Sequence, residues 1–247
     1  MKPDVTPWPH DLYVLIPSYK AAASLDAFLP PLIQKVPADN ICIVDDGSND
    51  GTGDVSKRHK TLYVSHEVNK GKGAALQKGF LYLCKETDAS WIITMDADGQ
   101  HAVADLDIFL QAIARAKEKT GILIGKRRMK IGVMPLPRIF SNATTSGLLS
   151  LLAKAHIIDS QCGYRAYSRA LVSLVRCRSP RFEMESEIIL RAVAHGFSLS
   201  FVPVQTLYFS SQSHIAVFKD TVRWVCAVLS TFIELQRKKV YYVHTKT

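Results

Sequence analysis

Trp91-Ile92-Ile93-Thr94-Met95-Asp96-Ala97-Asp98-Gly99-Gln100 is an apolar run that stops abruptly at carboxylates and a turn glycine. Such a run reads as a buried strand feeding a polar loop. The same pattern recurs on either side. Leu12–Ile16 is closed by Pro17, and Ile41–Val44 runs into Asp45-Asp46-Gly47-Ser48-Asn49-Asp50-Gly51, a dense turn signal. Thr61–Ser65 and Ile122–Ile124 are two more strand candidates, and helical patterns over Ala21–Val36, Gly73–Lys85 and Ala104–Lys119 lie between the strands. Strands separated by helices of this length imply βαβ units, hence a three-layer α/β fold around a mainly parallel sheet. In such sheets ligands bind outside the carboxyl ends of the strands. Three polar clusters fall there: Pro17-Ser18-Tyr19, Asp45–Ser48 and Asp96–Gln100.

Downstream the pattern is less regular. Arg127–Pro137 is basic and proline-bearing, which predicts an exposed loop, followed by an amphipathic helix over Ile139–Ala153. Arg181–His195 is predicted helical, Phe197–Val204 extended, and His214–Lys239 a long amphipathic helix. With no internal repeat and no low-complexity linker, one domain over 1–247 is expected. It is expected to divide into a first half (11–125), a second half (126–210) and a C-terminal helical extension (211–247).

The chain has 247 residues, 47% hydrophobic and 21% charged, which excludes a disordered class. Its formal charge of +9 favours an anionic partner such as a nucleotide, a lipid phosphate, a nucleic acid or a membrane surface. No basic–aromatic interleaving supports nucleic acid. The five cysteines are scattered, without a CxxC pair, which fits reduced thiols in a cytoplasmic protein. Met1–His10 has three prolines and no apolar run, so it does not read as a secretory signal. Val222–Leu235, interrupted by Arg223 and Glu234, is too short to span a bilayer. The basic runs Lys126-Arg127-Arg128 and Arg237-Lys238-Lys239 could be solvated surface or could attract the inner face of a membrane. The apolar sides of Ile139–Ala153 and Val222–Leu235 would then either lie in the interface or pack on the core.

Asp96 and Asp98 are two residues apart, so in an extended segment both point the same way and can share one cation. Oxygen donors suit Mg²⁺ or Mn²⁺, which keep open positions for substrate phosphates. Gln100 could add a neutral oxygen, and His101 a further donor. The same tripeptide could equally be an acidic turn, with Asp98 or Asp105 capping the next helix. Asp45 and Asp46 suit the hydroxyls and base of a nucleotide, although turn chemistry alone also explains Asp-Asp-Gly-Ser. Two acidic strand ends facing one crevice repel unless a cation or ligand is shared. Asn69-Lys70-Gly71-Lys72-Gly73 opens a helix with glycines and two lysines, a combination that attracts anions. Among Glu183, Glu185 and Glu187, Glu183 is the preferred candidate for a general base. These glutamates could instead form a solvated helix face.

Taken in order, V-L-I-P-S-Y-K, I-V-D-D-G-S-N-D-G-T, N-K-G-K-G-A-A-L-Q-K-G and M-D-A-D-G-Q-H resemble the family-two inverting glycosyltransferases of GT-A fold. The dolichol-phosphate-mannose-synthase-like branch is the most similar, over roughly residues 11 to 210. The resemblance implies a nucleotide-diphospho-sugar donor (UDP- or GDP-linked) and a polyprenyl-phosphate or other lipid or glycan acceptor. It implies that Asp96, Asp98 and Gln100 hold the metal, and that Pro17, Ser18, Tyr19, Asp45, Asp46, Lys70, Gly71, Asp96 and Ala97 line the nucleotide pocket. Arg127 matches a basic position near the diphosphate. Gln161 and Arg165, within Asp159–Ala166, fall in the acceptor-side loop, with Arg165 toward an anionic acceptor. His214 could reach the diphosphate from a C-terminal lid. The C-terminal membrane helices common in the lipid-phosphate synthases are not predicted, and Phe182–Glu187 looks more like a bacterial branch with varied acceptors. Two other readings use a similar site. A nucleotidyltransferase would want a glycine-rich, arginine-bearing loop where Ser18-Tyr19-Lys20 stands, and the other alternative is a non-enzymatic nucleotide-sugar-binding module at the membrane surface.

Overall fold

The computed structural model describes residues 7–129, 134–205 and 217–237. Seven strands form one sheet: β1 (Leu12–Ser18), β2 (Ile41–Asp45), β3 (Leu62–Ser65), β4 (Trp91–Thr94), β5 (Thr120–Arg127), β6 (Arg165–Ser168) and β7 (Ser198–Val204). Their order is β3-β2-β1-β4-β6-β5-β7. β1 to β4 are mutually parallel, β6 runs antiparallel to both β4 and β5, and β7 is parallel to β5. Every strand except β6 therefore ends at the same edge of the sheet, and β6 begins there.

The helices are α1 (Ala22–Ile33), α2 (Thr52–Arg58), α3 (Lys72–Glu86), α4 (Leu106–Ala114), α5 (Leu136–Ala153), α6 (Arg169–Leu174), α7 (Met184–Ala194) and α8 (Val217–Arg237). Alternation along the strands divides the core. Val14 and Ile16 pack with Leu25, Leu29, Val55 and Phe109 of α1, α2 and α4, whereas Leu15 packs with Leu76, Leu149, Leu171, Ile188 and Val228 of α3, α5, α6, α7 and α8. Both faces of the sheet are covered, which is why its strands read as near-continuous apolar runs.

Three elements escaped the sequence pattern: β6, α2 and α6. β6 is a four-residue strand beginning with a charged residue, and nothing in its local composition distinguishes it from a loop. Partners on both sides extend it, Thr94 opposite Arg165 and Ile124 opposite Arg165. The exposed loop expected over Arg127–Pro137 is shorter: Arg127 still belongs to β5, and α5 already starts at Leu136 with Pro137 in its first turn, where the missing N–H costs nothing. The helix expected over Ala104–Lys119 ends at Ala114. Asp105 does not cap it through its side chain. Its Oδ2 instead accepts the N–H of Gln205, tying the end of β7 to the opposite loop.

Candidate active site

At the shared sheet edge, Asp45 and Asp46 close β2. Asp45 Oδ1 accepts the N–H of Ser48 at 3.0 Å, and Oδ2 the Tyr63 hydroxyl at 3.0 Å. Asp46 Oδ2 accepts the N–H of Gly71 at 2.6 Å; Oδ1 accepts that of Lys70 at 2.9 Å and lies 2.7 Å from His66 Nδ1. Both carboxylates are buried, so the pair fastens the β2 turn and clamps the loop before α3. The turn reading of Asp-Asp-Gly-Ser is thus realised, and Asp46 reaches across to the glycine loop besides. Ser18 is buried at the end of β1, its carbonyl accepting the N–H of Asp46. Tyr19 is exposed beside it, with its ring 5.5 Å from Lys20 Nζ.

Gly71 has φ +99°, and a Cβ there would stand 2.6 Å from the Pro180 carbonyl oxygen. That oxygen accepts the N–H of Ala74, so the start of α3 lies directly against the segment leading into α7. This approach brings Lys72 between two acids. Its ammonium lies 2.7 Å from Asp96 Oδ1 and 3.2 Å from Glu185 Oε1. On the other side His101 Nδ1 accepts the Asp96 N–H at 3.0 Å, and the imidazole stacks on Tyr164 with centroids 4.8 Å apart. Burial pushes the His101 pKa down, consistent with a neutral ring that accepts. For Asp96, burial is the largest single influence and would raise the pKa, but the neighbouring positive groups, Lys72 first, together outweigh it and hold the carboxyl down at about 2. Ala97 is buried, while Asp98 is exposed and accepts the N–H of Gln100 at 2.9 Å. Asp96, Asp98, Gln100, Arg127 and Gln161 share the wall of a cavity of about 60 Å³.

Arg127 reaches that cavity from the end of β5. Its guanidinium is bidentate to the fully buried Asp159, with both bonds at 2.9 Å, and Asp159 also accepts the N–H groups of Gln161 and Cys162. Arg127 therefore stiffens the 159–162 loop while lining the cavity. Gln161 donates through Nε2 to Ser141 and Thr145 of α5.

Two expected site residues have other partners in the structure. Arg165, expected to hold an anionic acceptor, is 0% exposed, and it donates to the carbonyls of Cys162, Ser160 and Glu185, each at 2.7 Å. It joins the 160–162 loop to α7 and does not face the cavity. Glu183, preferred as a general base, is buried and engaged by the Arg223 guanidinium of α8. Glu185 is the glutamate that pairs with Lys72, the same lysine that holds Asp96. His214 lies outside the described residues. Lys72, Asp159 and Gly163 are the participants that residue patterns missed. The only signal for Lys72 was its place in the Lys-Gly-Lys-Gly string, because its partners come from β4 and α7.

Gly163 supplies a direct check on the spacing. A Cβ there would lie 2.7 Å from Asp96 Oδ2 and 3.0 Å from Lys72 Nζ. Gly163→Ala is expected to leave the melting temperature nearly unchanged and to lower transfer activity by roughly tenfold or more, since displacements near 1 Å carry such effects. Unchanged kcat/KM in this variant would mean that Asp96 need not hold its position.

A mostly parallel seven-stranded sheet with helices on both faces and acidic loops gathered at one edge resembles the GT-A glycosyltransferases. Among solved structures, glucosyl-3-phosphoglycerate synthase of Mycobacterium tuberculosis, in complex with Mn²⁺, UDP-glucose and phosphoglyceric acid, matches with a TM-score of 0.67 at 16% identity, covering 92% of this chain and 79% of that one. Residues 13–173 match the Glycosyl transferase family 2 model, and the chain belongs to that family. It is 31% identical over 219 residues to the UDP-N-acetylglucosamine–dolichyl-phosphate N-acetylglucosaminyltransferase of Methanococcus voltae, covering 80% of this chain and 86% of that one. It is 30% identical over 203 residues to the polyprenol monophosphomannose synthase of Mycolicibacterium smegmatis, covering 77% and 75%. The chain is a glycosyltransferase, which sets aside both the nucleotidyltransferase and the non-enzymatic readings.

Proposed function

We propose that the chain transfers a sugar, with inversion, from a nucleotide-diphospho-sugar to a polyprenyl phosphate, using Mg²⁺ or Mn²⁺ held by Asp96, Asp98 and Gln100. The observation that carries this reading is the placement of Asp96 and Asp98 at the carboxyl end of β4, lining one cavity together with Arg127. The donor set fits a hard cation, being carboxylate and amide oxygen. It is also incomplete: among the described residues no group of three His, Cys, Asp or Glu side chains could hold a metal. The remaining positions would fall to the diphosphate and water. When bound, the ion would neutralise charge developing on the leaving diphosphate. Arg127, oriented by Asp159, adds fixed positive charge on the same wall. The relatives that act on dolichyl phosphate and polyprenol support the acceptor class. So does the engagement of Glu183 with Arg223: a phosphate acceptor is already ionised and needs no general base.

A lipid acceptor requires approach to a membrane surface, and α5 presents a suitable stripe. Leu136, Phe140 and Leu151 are 61%, 75% and 74% exposed at helical spacing, with Arg138 and Lys154 also exposed. No helix among the described residues is long and apolar enough to cross a membrane, so peripheral contact is the proposed mode. The test incubates the protein and Mn²⁺ with UDP-N-acetylglucosamine, UDP-glucose or GDP-mannose and a polyprenyl phosphate in anionic vesicles. One donor should yield an organic-extractable glycolipid. Transfer from every active donor to water or a soluble glycan alone would sink the acceptor assignment.

A further inference from the structure

Lys72 occupies a position that a metal-binding carboxylate does not require. Its ammonium contacts Asp96 Oδ1 at 2.7 Å and Glu185 Oε1 at 3.2 Å, and the side chain is only 17% exposed. Phe182 places its ring 5.9 Å from the same nitrogen. The fully buried Arg165 adds a second cation close enough to act on Asp96. Asp96 is thus neutralised from within the protein before any ion arrives. A divalent cation binding by itself would have to displace the ammonium or stand beside it, with few protein ligands in return. A diphosphate changes that balance, because it supplies oxygen ligands to the ion and a new anionic partner for the flexible lysine.

We propose that Lys72 is a built-in counter-cation for Asp96 that makes metal capture depend on the donor diphosphate. This rests on Asp96 being a metal ligand, as proposed above. Metal and nucleotide are then positively coupled, and by linkage each tightens the other by the same factor. Lys72 acts here as a positioning residue that sets the order of assembly. The consequence is that the acidic cluster does not load with metal in the absence of donor.

The test is titration of the full chain with Mn²⁺, followed by calorimetry and by the loss of the free-ion EPR signal. Each titration is run alone and with saturating UDP or GDP, on the wild type, Lys72→Met and Lys72→Arg. The wild type should bind Mn²⁺ at least tenfold more tightly with one of the nucleotides. Lys72→Met should bind Mn²⁺ alone at least tenfold more tightly than the wild type, with the nucleotide-dependent gain reduced correspondingly. Lys72→Arg, which keeps the charge, should behave as the wild type. Mn²⁺ alone should raise the melting temperature of Lys72→Met but not that of the wild type. If Lys72→Met binds Mn²⁺ no better than the wild type, or Lys72→Arg gains as much as Met, the counter-cation role is wrong while the metal site stands. If the wild type takes up no Mn²⁺ with either nucleotide, the metal assignment of Asp96 fails and this inference fails with it. Should Lys72→Met not fold, the wild-type pair of titrations still decides: equal Mn²⁺ affinity with and without nucleotide overturns the coupling.

Discussion

Asp98→Ala is expected to fold as the wild type and to lose transfer activity by about three orders of magnitude. Asp98 is exposed, and its one described hydrogen bond is to the N–H of Gln100 in its own turn, so truncation removes little that holds the fold. Surface changes of this kind usually shift stability by about 0.5 kcal/mol or less. Lewis-acid stabilisation of a leaving group contributes several kcal/mol, and about 4 kcal/mol corresponds to a thousandfold in rate. The measurements are a thermal melt and kcat/KM with saturating Mn²⁺. Activity within a few-fold of wild type would remove Asp98 from the metal site. A melting temperature lowered by many degrees would point to the turn-forming role of Asp98 instead.

Arg165→Met should have the opposite signature. The guanidinium satisfies three carbonyls, those of Ser160, Cys162 and Glu185, in a place without access to water. Each buried acceptor left unpaired costs about 1–3 kcal/mol, so the loss should exceed about 3 kcal/mol. For a chain of this length each kcal/mol lowers the melting temperature by about 2–4 °C, giving a drop of at least about 6 °C. Calorimetric melting checks this directly. A stable variant whose acceptor KM alone rises would restore the acceptor-binding role that resemblance assigned to Arg165.

These two residues also show where residue patterns stop being informative. The role proposed for Asp98 rests on local facts: an apolar run, a strand end and a carboxylate two residues after another. Arg165 lies in a recognisable motif, but its role depends on which backbone surrounds it. β6 is inserted antiparallel between β4 and β5, and that insertion buries the residue that begins it. Glu183 and Glu185 present the same difficulty on one short segment. Both precede or open α7, and only the packing of α8 against one and α3 against the other separates their surroundings.

The strand–helix alternation, the parallel character of the first four strands and the acidic strand ends were determined by the sequence itself. They follow from side-chain periodicity and turn chemistry, which act over a few residues. The insertion of β6, the capture of Lys72 by Asp96 and Glu185, and the pairing of Arg127 with Asp159 were decided only by the tertiary structure. Those contacts join segments tens of residues apart, and their geometry is set by how the helices pack on the two faces of the sheet.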